Sequence, residues 1–384
     1  MNFSAFAPLS FLLGQFSTVT STGQTTTLNT DGLSNGIIGA STGGDSVCVS
    51  GNIMVPINTT GTKILYTAPQ DQVRVTESFV ELNQVDSTFA INAVSGGPSV
   101  ISGSYSIFCR LCLPSDPAKA HKVKTVQLLT HGATLDHTYW DIAPGYSYVD
   151  AATAAGYATL SYDQLGVGNS DHPDPIQDVQ AASQVAVTHG LVELLRAGKL
   201  GGFDFDKVVG VGHSAGSTLT QAITTRYPEG LDAVILSGTS TSAASVALSM
   251  AAFNFVNANT DPSPKLRDLP RRIPDAADAF EQQVANKQTN TLGILLTLGG
   301  IIAPSTQFTG PVGAVNGEND LVFCGGNCLY PTDQNKAVLA VFYPAASGRS
   351  QTYIAAGAGH SIAAHKSGPD SFAHMVGFLQ ANGL

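Results

Sequence analysis

Ser214 lies between Gly212 and Gly216 in a G-x-S-x-G pattern, after the apolar run Val208 to Val211 and before a segment with helical spacing (Leu219, Ala222, Ile223). Strand, tight turn and helix in that order lift the serine hydroxyl above a sheet and aim the first amides of the helix at the same spot. Side chains at 212 or 216 would collide with neighbouring backbone, which accounts for the glycines. A serine hydroxyl is a poor nucleophile near neutral pH. It needs a base to take its proton, and the base needs an acid to fix its tautomer. On such a sheet these partners come from loops after later strands, in the order Ser, Asp or Glu, His.

Of nine histidines, His360 is the one directly after the last predicted strand, flanked by Gly359 and Ser361. His365 and His374 fall in or beside the closing helix and read as structural or solvated. Asp320 follows the penultimate strand and is preferred as the acid over Glu318, because a short side chain suits a loop pinned by a Cys324–Cys328 bridge. A helix cap is the competing role for Asp320. Asp232 precedes its strand and belongs to the wrong end of the sheet. The amides of Ala215 and of Ala133, in the loop after His131-Gly132, are the expected donors to a developing oxyanion. His131 reads as shaping that loop, and Asp163 as organising another.

Other motifs lead elsewhere. Gly210-x-Gly212 and Gly166-x-Gly168 fail to complete G-x-G-x-x-G with an acid downstream, so no nucleotide cofactor is expected. Cys109, Cys112, Cys324 and Cys328 could imitate a four-thiolate zinc site, but a long stretch of chain separates the pairs and no metal is expected. Bridges are the better reading in an exported protein. Cys324 pairs with Cys328 across a Gly-Gly turn, Cys48 pairs with Cys109 or Cys112, and one thiol of the five stays free.

The elements that must position these groups follow from the pattern of the 384 residues. Residues 1–23 read as a secretory signal, with an apolar run from Phe11 and small residues from Ser17 to Gly23, although no basic residue precedes it. Asn58-Thr-Thr60 is a glycosylation sequon suited to that compartment. Residues 24–60, rich in Ser, Thr and Gly, read as an extended arm. Alternating runs (Lys63 to Tyr66, Val73 to Leu82, Phe89 to Val94, Tyr105 to Leu113) predict antiparallel strands. From Thr125 onward strands alternate with helices, the sign of a parallel sheet. Helices are predicted over Tyr146–Ala155, Ile176–Leu195, Ser217–Arg226, Asp333–Tyr343 and Phe372–Leu379. The core is assigned to 61–238 and 309–384, and 239–308 to an inserted helical cap. Two apolar segments of that cap, Val246–Val256 and Leu292–Ala303, would roof an apolar pocket.

Composition narrows the partners. Charged residues make up 12%, about half the usual share, and the net charge of −10 supplies no basic stripe for nucleic acid. No apolar stretch is long enough to span a bilayer, so stable membrane insertion is not expected. A small-molecule ester or lactone is the expected partner, and the sequence leaves the oligomeric state open.

Together, His131-Gly132, Asp163-x-Leu-Gly-x-Gly-x-Ser170, Gly212-His-Ser-Ala-Gly216, Gly317-x-x-Asp320 and Gly359-His360 resemble the α/β-hydrolase superfamily from about Lys122 to the C-terminus. The secretory start and Cys-Arg-Leu-Cys-x-Pro114 are similar to a group of fungal secreted members. One departure is Gln164, where many members carry Arg. The resemblance implies the α/β-hydrolase fold, with a mostly parallel sheet, antiparallel N-terminal strands, helices on both faces and a helical cap. It also implies Ser–His–Asp roles for Ser214, His360 and Asp320. Ser214 at the elbow, where an aspartate nucleophile would serve epoxide or haloalkane hydrolysis, points to ester chemistry. Peptide hydrolysis, acyl transfer or cyclisation by the same groups, or a non-catalytic binding module, are the rivals.

Overall fold

The computed structural model describes residues 28–242, 244–253, 279, 282, 283 and 286–384. The predicted signal, residues 1–23, and the Pro-rich stretch Asp261–Pro274 of the predicted cap lie outside them. Nine strands form one sheet in the order β1-β2-β3-β5-β4-β6-β7-β8-β9. They are β1 Ser34–Ala40, β2 Ser46–Thr62, β3 Pro98–Pro114, β4 Thr125–Thr130, β5 Ala158–Tyr162, β6 Lys207–His213, β7 Ala233–Ser237, β8 Val312–Gly317 and β9 Gln351–Ala355. Pairings from β1 through β3 to β5 are antiparallel, and those from β5 through β4 to β9 are parallel. The chain thus has the parallel sheet that its strand–helix alternation predicted, within the α/β-hydrolase fold that the resemblance implied.

Helices cover both faces because β4, β5, β7 and β8 are buried along their whole length, and a sheet apolar on both faces must be sandwiched. One core layer packs Leu111, Leu128, Leu160 and Leu219 with Leu191 of the helix Ala181–Arg196. The opposite layer packs Leu129, Val211 and Ile235 with Trp140, Tyr148 and Phe372. The cysteines follow the same division. Cys109 and Cys112 are three residues apart on β3 and therefore face opposite sides. Cys112 stands opposite Cys48 on β2 and bonds to it, while Cys109 remains a buried free thiol in the other layer.

The N-terminal region departs from the sequence expectations. Residues 34–40 and 46–62, read up to residue 60 as part of a loose arm, form two strands of the sheet. The buried alternation Ile53, Val55, Ile57 is a strand signal that the surrounding Ser, Thr and Gly masked. Val73–Leu82 and Phe89–Val94, read as strands, are instead the helices Gln72–Asn83 and Phe89–Ala93. Asp71 caps the first by accepting from the Arg74 amide, a start signal that the apolar alternation masked. Lys63–Tyr66 is irregular, and the helix predicted from Ile176 begins at Ala181. Residues 63–97 therefore form an excursion between β2 and β3. Its base is tied by the Gln180 side chain, which accepts from the Thr62 amide and donates to the Thr62 carbonyl. Gln177 does the same for Ile64.

Candidate active site

The elbow after β6 leaves no room for side chains at its two glycines. A Cβ on Gly212 would lie 2.5 Å from the Gly216 carbonyl oxygen, and one on Gly216 would lie 2.2 Å from the Thr130 oxygen. Ser214 itself sits at φ 56°, ψ −122°, a left-handed conformation that costs a non-glycine residue about 1–3 kcal/mol. Neighbouring groups hold it there. The Ser214 amide donates to the Ser237 carbonyl at 2.8 Å, and the Ser217 hydroxyl donates to the same oxygen at 2.7 Å. The helix Ala215–Arg226 then starts directly under the hydroxyl, where its first amides are not consumed by helix bonds.

Three side chains distant in sequence meet at this point. The His360 Nε2 lies 2.8 Å from the Ser214 Oγ, and its Nδ1 lies 2.7 Å from the Asp320 Oδ2. The buried carboxylate accepts from Nδ1–H, so the Nε2 lone pair faces the serine hydroxyl. Asp320 does two jobs, one with each oxygen. While Oδ2 meets His360, Oδ1 accepts from the Phe323 amide and caps the short helix Leu321–Cys324. The loop that carries it is closed by the Cys324–Cys328 bridge and by the Gly326 amide donating to the Asp320 carbonyl. Glu318, the rival acid, accepts from the Gly357 amide at 2.8 Å and so ties the loops after β8 and β9 together. His365 is buried and accepts from the Gly359 amide at 3.0 Å, bracing the His360 loop. Asp232 lies at the far end of the sheet, paired with Arg196 and Lys207.

The loop after β4 supplies the opposite wall. Gly132 approaches so closely that a Cβ there would stand 2.9 Å from the Ser214 Cβ. His131 is buried, and its Nε2 accepts from the Gln164 amide. The Gln164 carboxamide donates to the His131 carbonyl at 2.6 Å, so the glutamine anchors this loop. Ala133 and Ala215, the expected oxyanion donors, both line the cavity over Ser214. Asp163 accepts from the His137 amide at 3.0 Å, from the His137 ring at 2.6 Å and from the Asn169 amide at 2.8 Å. Burial pushes its pKa up, but His137 and these amides outweigh that and hold the carboxyl below its ordinary value. Asp136, His137 and Asp163 bring ligand-type atoms within 4.8 Å of one another. Their hydrogen bonds, including Gln288 donating to Asp136, account for that cluster as loop structure.

His213, next to the serine, stacks on Tyr139 with ring centroids 4.4 Å apart. Burial first, then the proximity of His360 and His131, holds its pKa well below the ordinary imidazole value. It therefore puts no positive charge beside Ser214 at neutral pH. The cavity above Ser214 measures about 270 Å³ and is lined largely by apolar groups, among them Val246, Leu295, Leu298, Ile302 and Phe323. Polar members include Thr218, Ser361, Thr134, Gln283, Lys287 and Asn290. The sequence reading missed these last residues. The segment 288–290 is stitched to the β4 loop, with the Gln288 amide donating to the Thr134 carbonyl and Asn290 Oδ1 accepting from the Thr134 amide. The polar run Gln288 to Thr291 before an apolar helix was its signal.

The sheet order, the serine elbow and the loops after β8 and β9 define an α/β hydrolase. A family model described as "Alpha/beta hydrolase family" matches residues 127–374, and the chain belongs to that family. Its fold is similar to that of a thermophilic esterase from Thermogutta terrifontis, at 15% identity and a TM-score of 0.51, covering 73% of this chain and 94% of that one. It is equally similar to an epoxide hydrolase from Vigna radiata, at 14% identity and a TM-score of 0.50, covering 72% of this chain and 95% of that one. Identities this low establish the fold alone. No curated protein matches the chain.

Proposed function

We propose that this protein is a serine hydrolase that cleaves carboxylic esters or lactones through an acyl-enzyme. The observation that carries the reading is the unbroken hydrogen-bonded path from the Ser214 Oγ through both ring nitrogens of His360 to the Asp320 carboxylate, opening into a mostly apolar cavity. Ser214 attacks the carbonyl carbon while its proton passes to His360 Nε2, and Asp320 stabilises the imidazolium. The Ala133 and Ala215 amides take the charge that develops on the carbonyl oxygen. His360 then gives the proton to the leaving alkoxide, and a water deprotonated by His360 releases the acid. An aspartate nucleophile of the kind that opens epoxides has no place here, because the elbow holds Ser214. The apolar lining favours uncharged aliphatic or aromatic esters. The two disulfides and residues 1–23 support an exported protein, and Asn58 is exposed on β2 as a glycan acceptor would be.

A fluorophosphonate probe and p-nitrophenyl esters test the assignment. Wild-type protein should be labelled at Ser214 and should hydrolyse the esters, and Ser214→Ala should do neither. Equal rates for the two proteins would refute it. Adding alcohols or amines and analysing the products separates hydrolysis from acyl transfer.

A further inference from the structure

A second chamber, of about 460 Å³, adjoins the Ser214 cavity and shares Thr134, Met250, Asn290 and Leu295 with it. One wall is the 63–97 excursion, through Tyr66, Val75, Phe79 and Phe89; the opposite wall includes Leu292 and Leu296. Tyr66 and Phe89 pack edge to face at 5.2 Å, which braces the outer wall. This space is larger than the cavity over the serine and is faced mainly by carbon, and the two meet at a neck formed by those shared residues. At that neck Asn290 spends its Oδ1 on the Thr134 amide, while its Nδ2 is buried with no hydrogen-bond partner among the described residues. A buried donor left unpaired is costly, and an acceptor oxygen on a ligand passing the neck would relieve it.

Building on the serine-hydrolase reading, we infer that the second chamber binds an extended, uncharged apolar arm of the ester substrate, with a substrate oxygen accepting from Asn290 at the neck. The substrate class is then an ester with one compact half over Ser214 and one long aliphatic or arylalkyl half under the excursion. A short ester would leave the larger chamber empty and forfeit the transfer of that arm out of water.

Two ester series decide which half enters: p-nitrophenyl esters of graded acyl length, and acetates of graded alcohol length. In the series that reaches the chamber, kcat/KM should climb about threefold to fourfold per added methylene. Ala68→Phe and Leu296→Trp fill the second chamber, since both residues line it and neither lines the first. In these variants the ratio of long-ester to short-ester rate should collapse, with fluorophosphonate labelling of Ser214 reporting that the protein is folded. A wild-type rate that is flat with length in both series overturns the inference, as does a slope that survives in both filled variants. Neither result touches the nucleophile assignment, which rests on p-nitrophenyl acetate and Ser214→Ala. Calorimetric binding of alkyl ketones of graded length to Ser214→Ala protein gives the same decision without turnover. Affinity that rises with length and is lost on Ala68→Phe supports the chamber, and affinity independent of length overturns it.

Discussion

The parallel part of the sheet and the 63–97 excursion border one system of cavities, yet they are built to opposite specifications. Strands β4, β5, β7 and β8 are buried from end to end, whereas the helix Gln72–Asn83 buries Val75 alone. Close-packed surroundings leave side chains little room to move, so groups mounted there keep their spacing. A segment such as 63–97, which buries only Ile64, Val75 and Ala93 and is tied at its base by Gln177 and Gln180, opens well below the global unfolding free energy. Ser214 and Asp320 follow β6 and β8, which stand on the first kind of support. His360 follows the half-buried edge strand β9, its loop braced by Glu318 and His365, and much of the larger chamber stands on the second kind. The atoms proposed to react are thus held by a frame that resists change, and the space proposed to sort substrates is shaped by a segment that tolerates it.

Substitutions can break or sharpen this contrast. The largest effect is expected for Ser214→Ala, with ester turnover falling by at least about 10⁴-fold while the melting temperature holds. Ser214→Gly should also be inactive but more stable, by up to about 1–3 kcal/mol in denaturant titration, because glycine accepts the positive φ. Next comes Asp320→Asn, which can keep the cap on Leu321–Cys324 yet holds His360 in the wrong tautomer. It should lose about 10⁴-fold in kcat with little change in stability, whereas Asp320→Ala should cost an additional ~1 kcal/mol of stability for the cap. A variant in the adjustable part, Asn290→Ala, should lower kcat/KM by roughly tenfold, the worth of one hydrogen bond steadying the Ala133 loop. If Asn290→Ala matched Asp320→Asn in severity, the division between rigid frame and adaptable wall would fail.

The smallest effect concerns pH. His213 is held neutral by burial, with its folded-state pKa well below its ordinary value, so the unfolded chain takes up the proton first as pH drops. Its contribution is therefore intact above about pH 6.5 and is lost progressively as pH falls toward the folded-state pKa, at no more than about 1.4 kcal/mol per pH unit. Melting temperatures between about pH 7 and pH 5 should fall in the wild type and fall less steeply in His213→Gln. Parallel slopes would remove His213 from the account, leaving His131, whose pKa is lowered chiefly by burial, as the other buried imidazole.

What the sequence disclosed follows the same contrast. Ser214 and its two partners were legible because chemistry restricts both residue type and strand order, and because a Cβ on Gly212 or Gly216 would lie within 2.5 Å of a backbone oxygen. The closing bridge was legible from Cys324-Gly-Gly-Asn-Cys328 itself. Cys48 left two partners open, since only the β2–β3 register puts Cys112 opposite it. The excursion was misread as strands because Val73, Val75, Val80 and Leu82 satisfy an alternating and a helical template about equally well over so short a span. Asn290 and Gln288 escaped notice because their roles consist of contacts with Thr134 and Asp136, more than a hundred positions upstream; the polar run Gln288 to Thr291 marks the segment but not its partners.

The ladder between β2 and β3 runs unbroken from Ser46↔Pro114 to Thr62↔Pro98, while only Cys109–Cys112 of β3 also pair with β5. The rest of this ribbon, roughly 50 Å long at the usual rise per residue, packs Val55, Ile57, Ile101 and Ile107 into the core shared with the helix Ala181–Arg196, and it carries residues 63–97 as a payload at its far end. Exchanging that payload between its two attachment points would alter which molecules are admitted without re-engineering the machinery beneath. For an engineer, the natural splice sites are Thr62 and Pro98.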